Sequence, residues 1–405
     1  MFSENHKVVV VIDIGGSKVV SIIAKTSSNG SVDILGVGNI ASEGIKNGAI
    51  YDIKTLRTVI ASSVYEAEQR AARNIDTVIV NISSPLMKTS LIKVVNKFGG
   101  KQVLSNDLKK TVNAALSKID LSKYEILYHS VLGYDLDEMV GLKDPEFMFA
   151  NKLVSYINVI TVPVKYLINL SGCLLGCQLK ISDFVVSSYA SALVCADDFE
   201  RAKGCIVVDI GGDTLDYVVI KDNKIMDSGV VPLGGKIITR DIANYFSMDF
   251  VEAEKIKILH GNLCYFTSDE EKTIEVVSIS NQEEPKKINN ELLNKVIKSR
   301  FKEIVDIFIK KIKEKALDKE CKDNIIFTGG SSQFVGLEEF LNEQFKLKAK
   351  KGLPVNVKLS SELELSADFS TSCGLIKYSM CKHDNNLRER KYSVKKAFSW
   401  LKQNF

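Results

Sequence analysis

Val8-Val9-Val10-Val11-Ile12-Asp13-Ile14-Gly15-Gly16-Ser17-Lys18, early in the chain, is written again in its middle as Ile206-Val207-Val208-Asp209-Ile210-Gly211-Gly212-Asp213-Thr214. In each copy a β-rich apolar run delivers an aspartate to a tight glycine turn. Exposed backbone N–H groups and missing side chains at such a turn let a polyphosphate approach closely. Asp13 and Asp209 are then placed to hold waters of a Mg²⁺ ion, which binds through few carboxylates and keeps several of its waters. Either copy alone is also what an ordinary β-turn produces. Duplication, with Lys18 in the first copy and Asp216 in the second, points to two loops facing one nucleotide.

Length and composition agree with a duplicated, well-packed chain. With 405 residues, 45% of them hydrophobic, the chain is sized for about two to four domain-like units with large cores. The formal charge of +4 gives no general argument for a nucleic-acid partner, and none is expected. Eight scattered cysteines and four histidines in no metal-ligand spacing read as the reduced thiols of a cytosolic chain. Cys173 and Cys177 sit in an apolar, helix-like stretch and are expected to be buried and structural rather than redox-active or zinc-binding. No run approaches the roughly twenty apolar residues of a membrane-spanning helix, and the first residues lack a signal-peptide pattern.

The patterning divides the chain into α/β units with two interruptions. Residues 8–24 read as a hairpin and 31–39 as a third strand, followed by a helix over 53–73 whose apolar positions Leu56, Val59, Ile60, Val64 and Ala67 recur at helical spacing. A strand over 76–82 completes a first unit that Pro85 breaks at residue 85. Residues 86–163 mix strands (91–98, 126–134, 152–162) with a helix near 107–119 and read as an inserted α+β subdomain. The first half resumes over 164–197 with a helix (166–175), a strand (184–188) and a helix opened by Ala190-Ser191-Ala192. The second half occupies 198–249 and 318–368, with strands at 217–220, 224–231 and 324–327 and helices at 237–245 and 336–345. It is interrupted by a charged insert, 250–317, containing a hairpin-like segment near 273–279 and a long helix over 290–317. A return helix (369–381), a polar linker (382–390) and a final segment (391–405) close the chain.

Five motifs stand in an order that resembles the actin, Hsp70 and sugar-kinase superfamily: residues 13–18, the helix start at 188–192, residues 209–216, residues 328–331 and the late helix 372–379. That resemblance implies an actin-like (ribonuclease H-like) duplicated α/β fold closing on ATP between its halves. Within the superfamily the chain is most similar to the FtsA family, the membrane-tethered actin homologues that anchor the FtsZ ring in bacterial division. The position of the 86–163 insert, the local sequences Asp13-Ile14-Gly15-Gly16-Ser17-Lys18-Val19, Glu252-Ala253-Glu254-Lys255-Ile256-Lys257 and Phe327-Thr328-Gly329-Gly330-Ser331, and the final segment carry this likeness.

That final segment places Val394, Ala397, Phe398, Leu401 and Phe405 on one helical face beside Trp400, the only tryptophan, with Lys391, Lys395, Lys396 and Lys402 around them. Such a helix can bury apolar groups among acyl chains while its lysines meet anionic headgroups, each adding roughly 1 kcal/mol. A terminal amphipathic helix more often docks on its own core, but the polar linker at 382–390 argues for the membrane.

By resemblance, Gly15, Gly16, Ser17, Gly211, Gly212 and Thr214 would bond phosphates, Lys18 would add charge, and Asp13 and Asp209 would organise Mg²⁺. Glu254 and Lys257, three apart on one helical face, resemble the superfamily residues that touch ribose and adenine, although a solvated ion pair has the same spacing. Gly329, Gly330 and Ser331 would pass close to adenosine, where a side chain at either glycine would take the nucleotide's space. The chain also departs from the family: Gly16 stands where threonine is usual, Asp213 where another glycine is usual, and Leu215 replaces a hydroxyl residue. Asp213 is expected to weaken ATP binding unless it reaches the metal or turns outward. No histidine or carboxylate in the motifs is an evident water-positioning residue, so hydrolysis is expected to be slow or absent. The resemblance further implies contact of 250–317 with FtsZ's C-terminal peptide, of 86–163 with later division proteins, self-association into filaments, and a place on the cytoplasmic face of the membrane. A sugar- or acetate-type kinase would share the loops but need a catalytic carboxylate between the halves. A pilus-assembly actin homologue would lack the basic tail, and an Hsp70-type chaperone would need a long peptide-binding region.

Overall fold

The computed structural model describes residues 7–27, 30–264, 273–276, 286–315, 321, 324–346, 348–354 and 366–381; the linker at 382–390 and the amphipathic segment at 391–405 lie outside them. The first half opens with the Val-rich strand β1 (Lys7–Ile14), β2 (Lys18–Thr26) and β3 (Val32–Ala41), an antiparallel meander whose tight turns leave β-branched side chains on both buried faces. A short hairpin, β4 (Ile45–Lys46) and β5 (Ala49–Ile50), leads to α1 (Ile53–Ala71). Asp52 caps α1, its carboxylate accepting from the N–H groups of Lys54 and Thr55 at 2.9 and 3.1 Å. β6 (Thr77–Ile82) returns parallel to β1.

The chain then leaves the sheet for β7 (Lys88–Gln102), α2 (Ser105–Leu116), β8 (Tyr124–Leu136), β9 (Met139–Leu142) and β10 (Phe149–Pro163). These strands form their own antiparallel sheet, β7-β10-β8-β9. They outrun the strands predicted from the apolar runs, because pairing on central β10 carries the ladder through polar residues at both ends. The base of this sheet is tied to the second half: Thr89 Oγ1 donates to Ser228 O at 2.8 Å and Asn158 Nδ2 to Ile225 O at 2.8 Å.

The first half is completed by α3 (Val164–Leu175), β11 (Lys180–Val186) and α4 (Ser187–Cys195). Here the predicted strand over 184–188 runs too long: Ser187 and Ser188 already belong to the helix, with Asn81 Nδ2 donating to Ser187 Oγ at 3.1 Å. α5 (Asp198–Lys203) was not foreseen, although Asp197 and Glu200 form its capping box.

The second half repeats the plan with β12 (Cys205–Ile210), β13 (Leu215–Lys221), β14 (Lys224–Val231), α6 (Gly235–Phe246) and α7 (Phe250–His260). β15 (Thr273–Val276) pairs with β16 (Lys286–Asn289), which is residues beyond the predicted segment near 273–279, and α8 (Asn290–Glu314) follows. β17 (Ile325–Thr328), α9 (Leu337–Phe345) and β18 (Ala349–Lys351) close the sheet, and α10 (Ser370–Cys381) returns to the first half. The two five-stranded sheets, β3-β2-β1-β6-β11 and β14-β13-β12-β17-β18, have the same order and the same pattern of antiparallel and parallel pairs. In the second, α8 packs Phe301 and Phe308 into a core with Tyr217 and Phe327. No described helix is long and apolar enough to cross a membrane.

Candidate functional site

The two repeated turns meet in a cleft of about 580 Å³ between the halves, a size suited to a small organic ligand. Their backbones close identically: Gly15 N donates to Lys18 O at 3.0 Å and Gly211 N to Thr214 O at 2.9 Å. Each turn rests on the other. A Cβ on Gly16 would lie 2.5 Å from Asp213 Cβ, and one on Gly212 would lie 1.8 Å from Ser17 Oγ. These glycines are therefore demanded by the loop-to-loop contact.

Each loop's aspartate is oriented by helix hydroxyls. Ser372 on α10 donates to Asp13 at 3.0 Å, while Ser191 on α4 and Thr371 on α10 donate to Asp209 at 2.6 and 3.1 Å. α4 and α10 cross so tightly that a Cβ on Gly374 would sit 1.9 Å from Ala190 O, which locks the hydroxyls in place. Burial pushes Asp13 up to about 7, against the Ser372 hydrogen bond and aided by the charge of Asp209. Burial raises Asp209 as well, opposed by Ser191 and Thr371. Two half-buried carboxylates whose charge is this costly fit a divalent cation at the cleft. Among the described residues no three acidic, histidine or cysteine side chains converge to ligate it directly, so the fit is through the ion's own waters.

On the far wall, Lys257 Nζ is buried and donates to Glu254 at 2.7 and 2.8 Å, to Thr239 Oγ1 at 2.9 Å and to Gly235 O at 3.3 Å. Thr239 also donates to Glu254. This is a buried network, not a solvated i,i+3 pair; burial lowers the Lys257 pKa and Glu254 partly restores it. Ser331 Oγ donates to Gly211 O at 3.4 Å, joining the third glycine segment to the second loop. Gly329 has φ +87° and a Cβ there would lie 2.3 Å from Asp209 Oδ1, so its own backbone and Asp209 already exclude a side chain. Gly330 is open to the cleft, with only Asp368 Cβ near, at 3.7 Å.

Lys18, expected in the site, is there, but the partners around it and around the second loop were not legible in the sequence. Lys18 pairs with Asp368 at 2.5 Å and lies 3.6 Å above the Phe369 ring. Lys236 donates to Gly16 O at 2.7 Å and stands 3.6 Å from Asp213, whose other oxygen accepts from Asn47 N at 3.3 Å. Asp216, opposite Asp209 in the β12–β13 ladder, accepts from Thr214 at 2.7 Å and, across the cleft, from Ser83 at 2.8 Å. Its second oxygen is buried without a hydrogen-bond partner among the described residues, and burial pushes this carboxyl up to about 7, against those two hydroxyls. Asp216, noted in the second motif but given no role there, is thus a further cleft carboxylate; its place opposite Asp209 was the signal that could have assigned it.

Comparison with known proteins follows the geometry. A family model described as Cell division protein FtsA matches residues 206–374. The Cell division protein FtsA of Rhizobium meliloti (strain 1021) is 30% identical over 388 residues, covering 93% of this chain and 88% of the relative. Among solved structures, the PilM-PilN type IV pilus biogenesis complex matches with a TM-score of 0.64 at 16% identity, over 92% of this chain and 98% of that one. MreB5 of Spiroplasma citri bound to ADP matches with a TM-score of 0.55 at 13% identity, over 96% of this chain and 99% of that one. The fold is the actin-like one.

Proposed function

The chain belongs to the FtsA family of cell-division proteins, and from that premise we propose that this actin-like division protein binds ATP with Mg²⁺ between its halves and tethers the FtsZ ring to the membrane. The observation that carries the nucleotide part is the apposition of two glycine turns closed by the same backbone bond, each with a half-buried aspartate held by helix hydroxyls. Backbone N–H groups of Gly16 and Gly212 would bind phosphates, with the hydroxyls of Ser17 and Thr214 beside them, whereas those of Gly15 and Gly211, expected from the sequence to do the same, are committed to closing the turns. Asp13 and Asp209 would orient a hydrated Mg²⁺, whose charge offsets that of the phosphates. Glu254 and Lys257, on the wall with Gly330 and Ser331, would meet the nucleoside.

Burial raises Asp216 to about 7, a basicity suited to a general base. Its two hydroxyl donors, Ser83 and Thr214, however, hold the carboxyl on the loops rather than on a water, and no histidine lines the described cleft, so at most slow hydrolysis is proposed. Nucleotide is better suited to holding the halves in one arrangement than to rapid turnover. The tether reading rests on the sequence of 391–405, where Phe398, Trp400, Leu401 and Phe405 supply the apolar face and four lysines the charge. Residues 250–317 are assigned to FtsZ's C-terminal peptide, 86–163 to later division proteins, and self-association on the cytoplasmic face of the membrane completes the scaffold.

Imaging on an anionic lipid monolayer with ATP and Mg²⁺ tests tether, polymer and ligand together. Filaments are expected from the full chain and not from one ending at residue 390. Monolayer binding that survives removal of residues 391–405 would refute the tether, and robust phosphorylation of a small sugar or acid would move the chain to the kinase class.

A further inference from the structure

The two loops interlock reciprocally, and the charge they bring to the seam is unequal. In each loop the fifth residue, counted from its aspartate, rests on the second glycine of the other: Ser17 on Gly212 and Asp213 on Gly16. Ser17 is neutral, whereas Asp213 carries a carboxylate that is 93% removed from solvent, at 7% exposure. That carboxylate is held in place by Asn47 N at 3.3 Å and Lys236 Nζ at 3.6 Å, and Lys236 in turn donates to Gly16 O at 2.7 Å. It neither turns outward to solvent nor approaches Asp13 and Asp209 as part of a metal-ligating cluster among the described residues.

Lys236 pairs with this carboxylate only at 3.6 Å and is itself committed to Gly16 O, so it offsets the charge in part, and the rest of the cleft adds no spare cation. Among the described residues six acidic side chains line it, Asp13, Asp209, Asp213, Asp216, Glu254 and Asp368, against two lysines. Both lysines are already in ion pairs, Lys18 with Asp368 and Lys257 with Glu254. Each phosphate added to a ligand brings further negative charge to a seam that holds an anion of its own, in surroundings where like charges repel more strongly than in water.

The geometry points to Asp213 as a specificity-determining residue: it makes the cleft select nucleotides by phosphate-chain length, taking the diphosphate in preference to the triphosphate. This rests on the reading of the cleft as an adenine-nucleotide site. Gly16 is the complement that gives the Asp213 side chain its room, so two of the chain's three departures from the usual family loops form one coupled exchange.

Titration calorimetry of the full chain with ADP and with ATP, each with excess Mg²⁺, tests this beside the Asp213→Gly and Asp213→Asn variants. The native chain is expected to bind ADP roughly tenfold more tightly than ATP, the scale of one moderate charge–charge repulsion. Both variants should bring that ratio towards one by tightening ATP, with ADP changed by less than about threefold. Asp213→Asn keeps the shape packed on Gly16 and isolates the charge if removing the side chain loosens the loops. Binding of both nucleotides with a ratio indifferent to residue 213, or tighter ATP in the native chain, overturns the proposal and leaves the nucleotide reading standing. Failure of all three proteins to bind either nucleotide overturns both.

Discussion

The first loop and the second share one backbone and differ in what surrounds it. Both are β-hairpin turns closed by the same hydrogen bond, both follow the central strand of a five-stranded sheet, and both end their aspartate under a helix hydroxyl. Beyond that the second loop is more heavily engaged. α6 is docked on it, with Gly235 N donating to Gly211 O at 2.9 Å and Lys236 N to Gly212 O at 2.8 Å, and Asp209 has two hydroxyl donors where Asp13 has one. Across the ladder Asp13 faces apolar Val20, while Asp209 faces Asp216. A duplicated backbone therefore supplies the grip, and the neighbours of each copy decide its charge: the first loop is the neutral jaw and the second the acidic one.

Asp216→Asn makes the second ladder resemble the first in charge and should have the largest effect. The folded chain holds the Asp216 proton up to about pH 7, whereas an unfolded aspartate releases it near its ordinary value of 3.8. A folded pKa above the unfolded one for a carboxyl means that stability falls as pH rises between those values and levels off above about 7. The asparagine removes this loss, since Ser83 and Thr214 still find an oxygen acceptor and the charges of Asp209 and Asp13 no longer face a third. The variant should be about 2–4 kcal/mol more stable than the native chain at pH 8, the gain shrinking towards pH 4. Urea unfolding at several pH values measures it; a gain independent of pH would show that Asp216 does not titrate in this window.

The seam itself is probed by exchange. Gly16→Thr drives a side chain into Asp213 and should cost about 2 kcal/mol by overpacking. The same change in an Asp213→Gly background should cost roughly 1–2 kcal/mol less, because the obstacle is gone. Thermal or urea unfolding of the four proteins closes the cycle, and strictly additive losses would mean that residues 16 and 213 do not compete for space.

Much of this architecture was written in local pattern. The Val/Ile runs before each Asp-Ile-Gly-Gly, the apolar spacing of α1 and the glycine pair after β17 each announce an element whose type is decided by its own side chains. What stayed hidden depends on partners far along the chain. Lys18 meets Asp368 and Lys236 reaches Gly16, pairs separated by 350 and 220 residues, and no local signal encodes such a meeting. Asp216 occupies one position in the alternation of β13 and acquires meaning only opposite Asp209 and Ser83. Ser191, Thr371 and Ser372 read as ordinary helix residues until α4 and α10 cross. The segment at 391–405, proposed as the tether, was legible as an amphipathic pattern and lies outside the described residues.

The smallest effect should come from the first glycine of each turn, the position at which the two loops come nearest to being equal. Neither Gly15 nor Gly211 has a left-handed backbone, so alanine is conformationally acceptable at both and narrows the unfolded ensemble, a gain of about 0.4–1 kcal/mol. The room differs slightly: the new Cβ would lie 3.0 Å from Lys18 O in the first loop and 3.4 Å from Thr214 O in the second. The first distance is a close contact with a backbone atom that the turn's own hydrogen bond holds in place, whereas the second is ordinary van der Waals contact. Gly211→Ala should therefore be neutral to slightly stabilising, and Gly15→Ala destabilising by about 0.5–1 kcal/mol, close overpacking outweighing the entropic gain. Paired urea curves resolve a difference of this size. Equal effects would mean that the first turn relaxes as freely as the second, and that docking α6 on the second loop does not distinguish the two jaws mechanically.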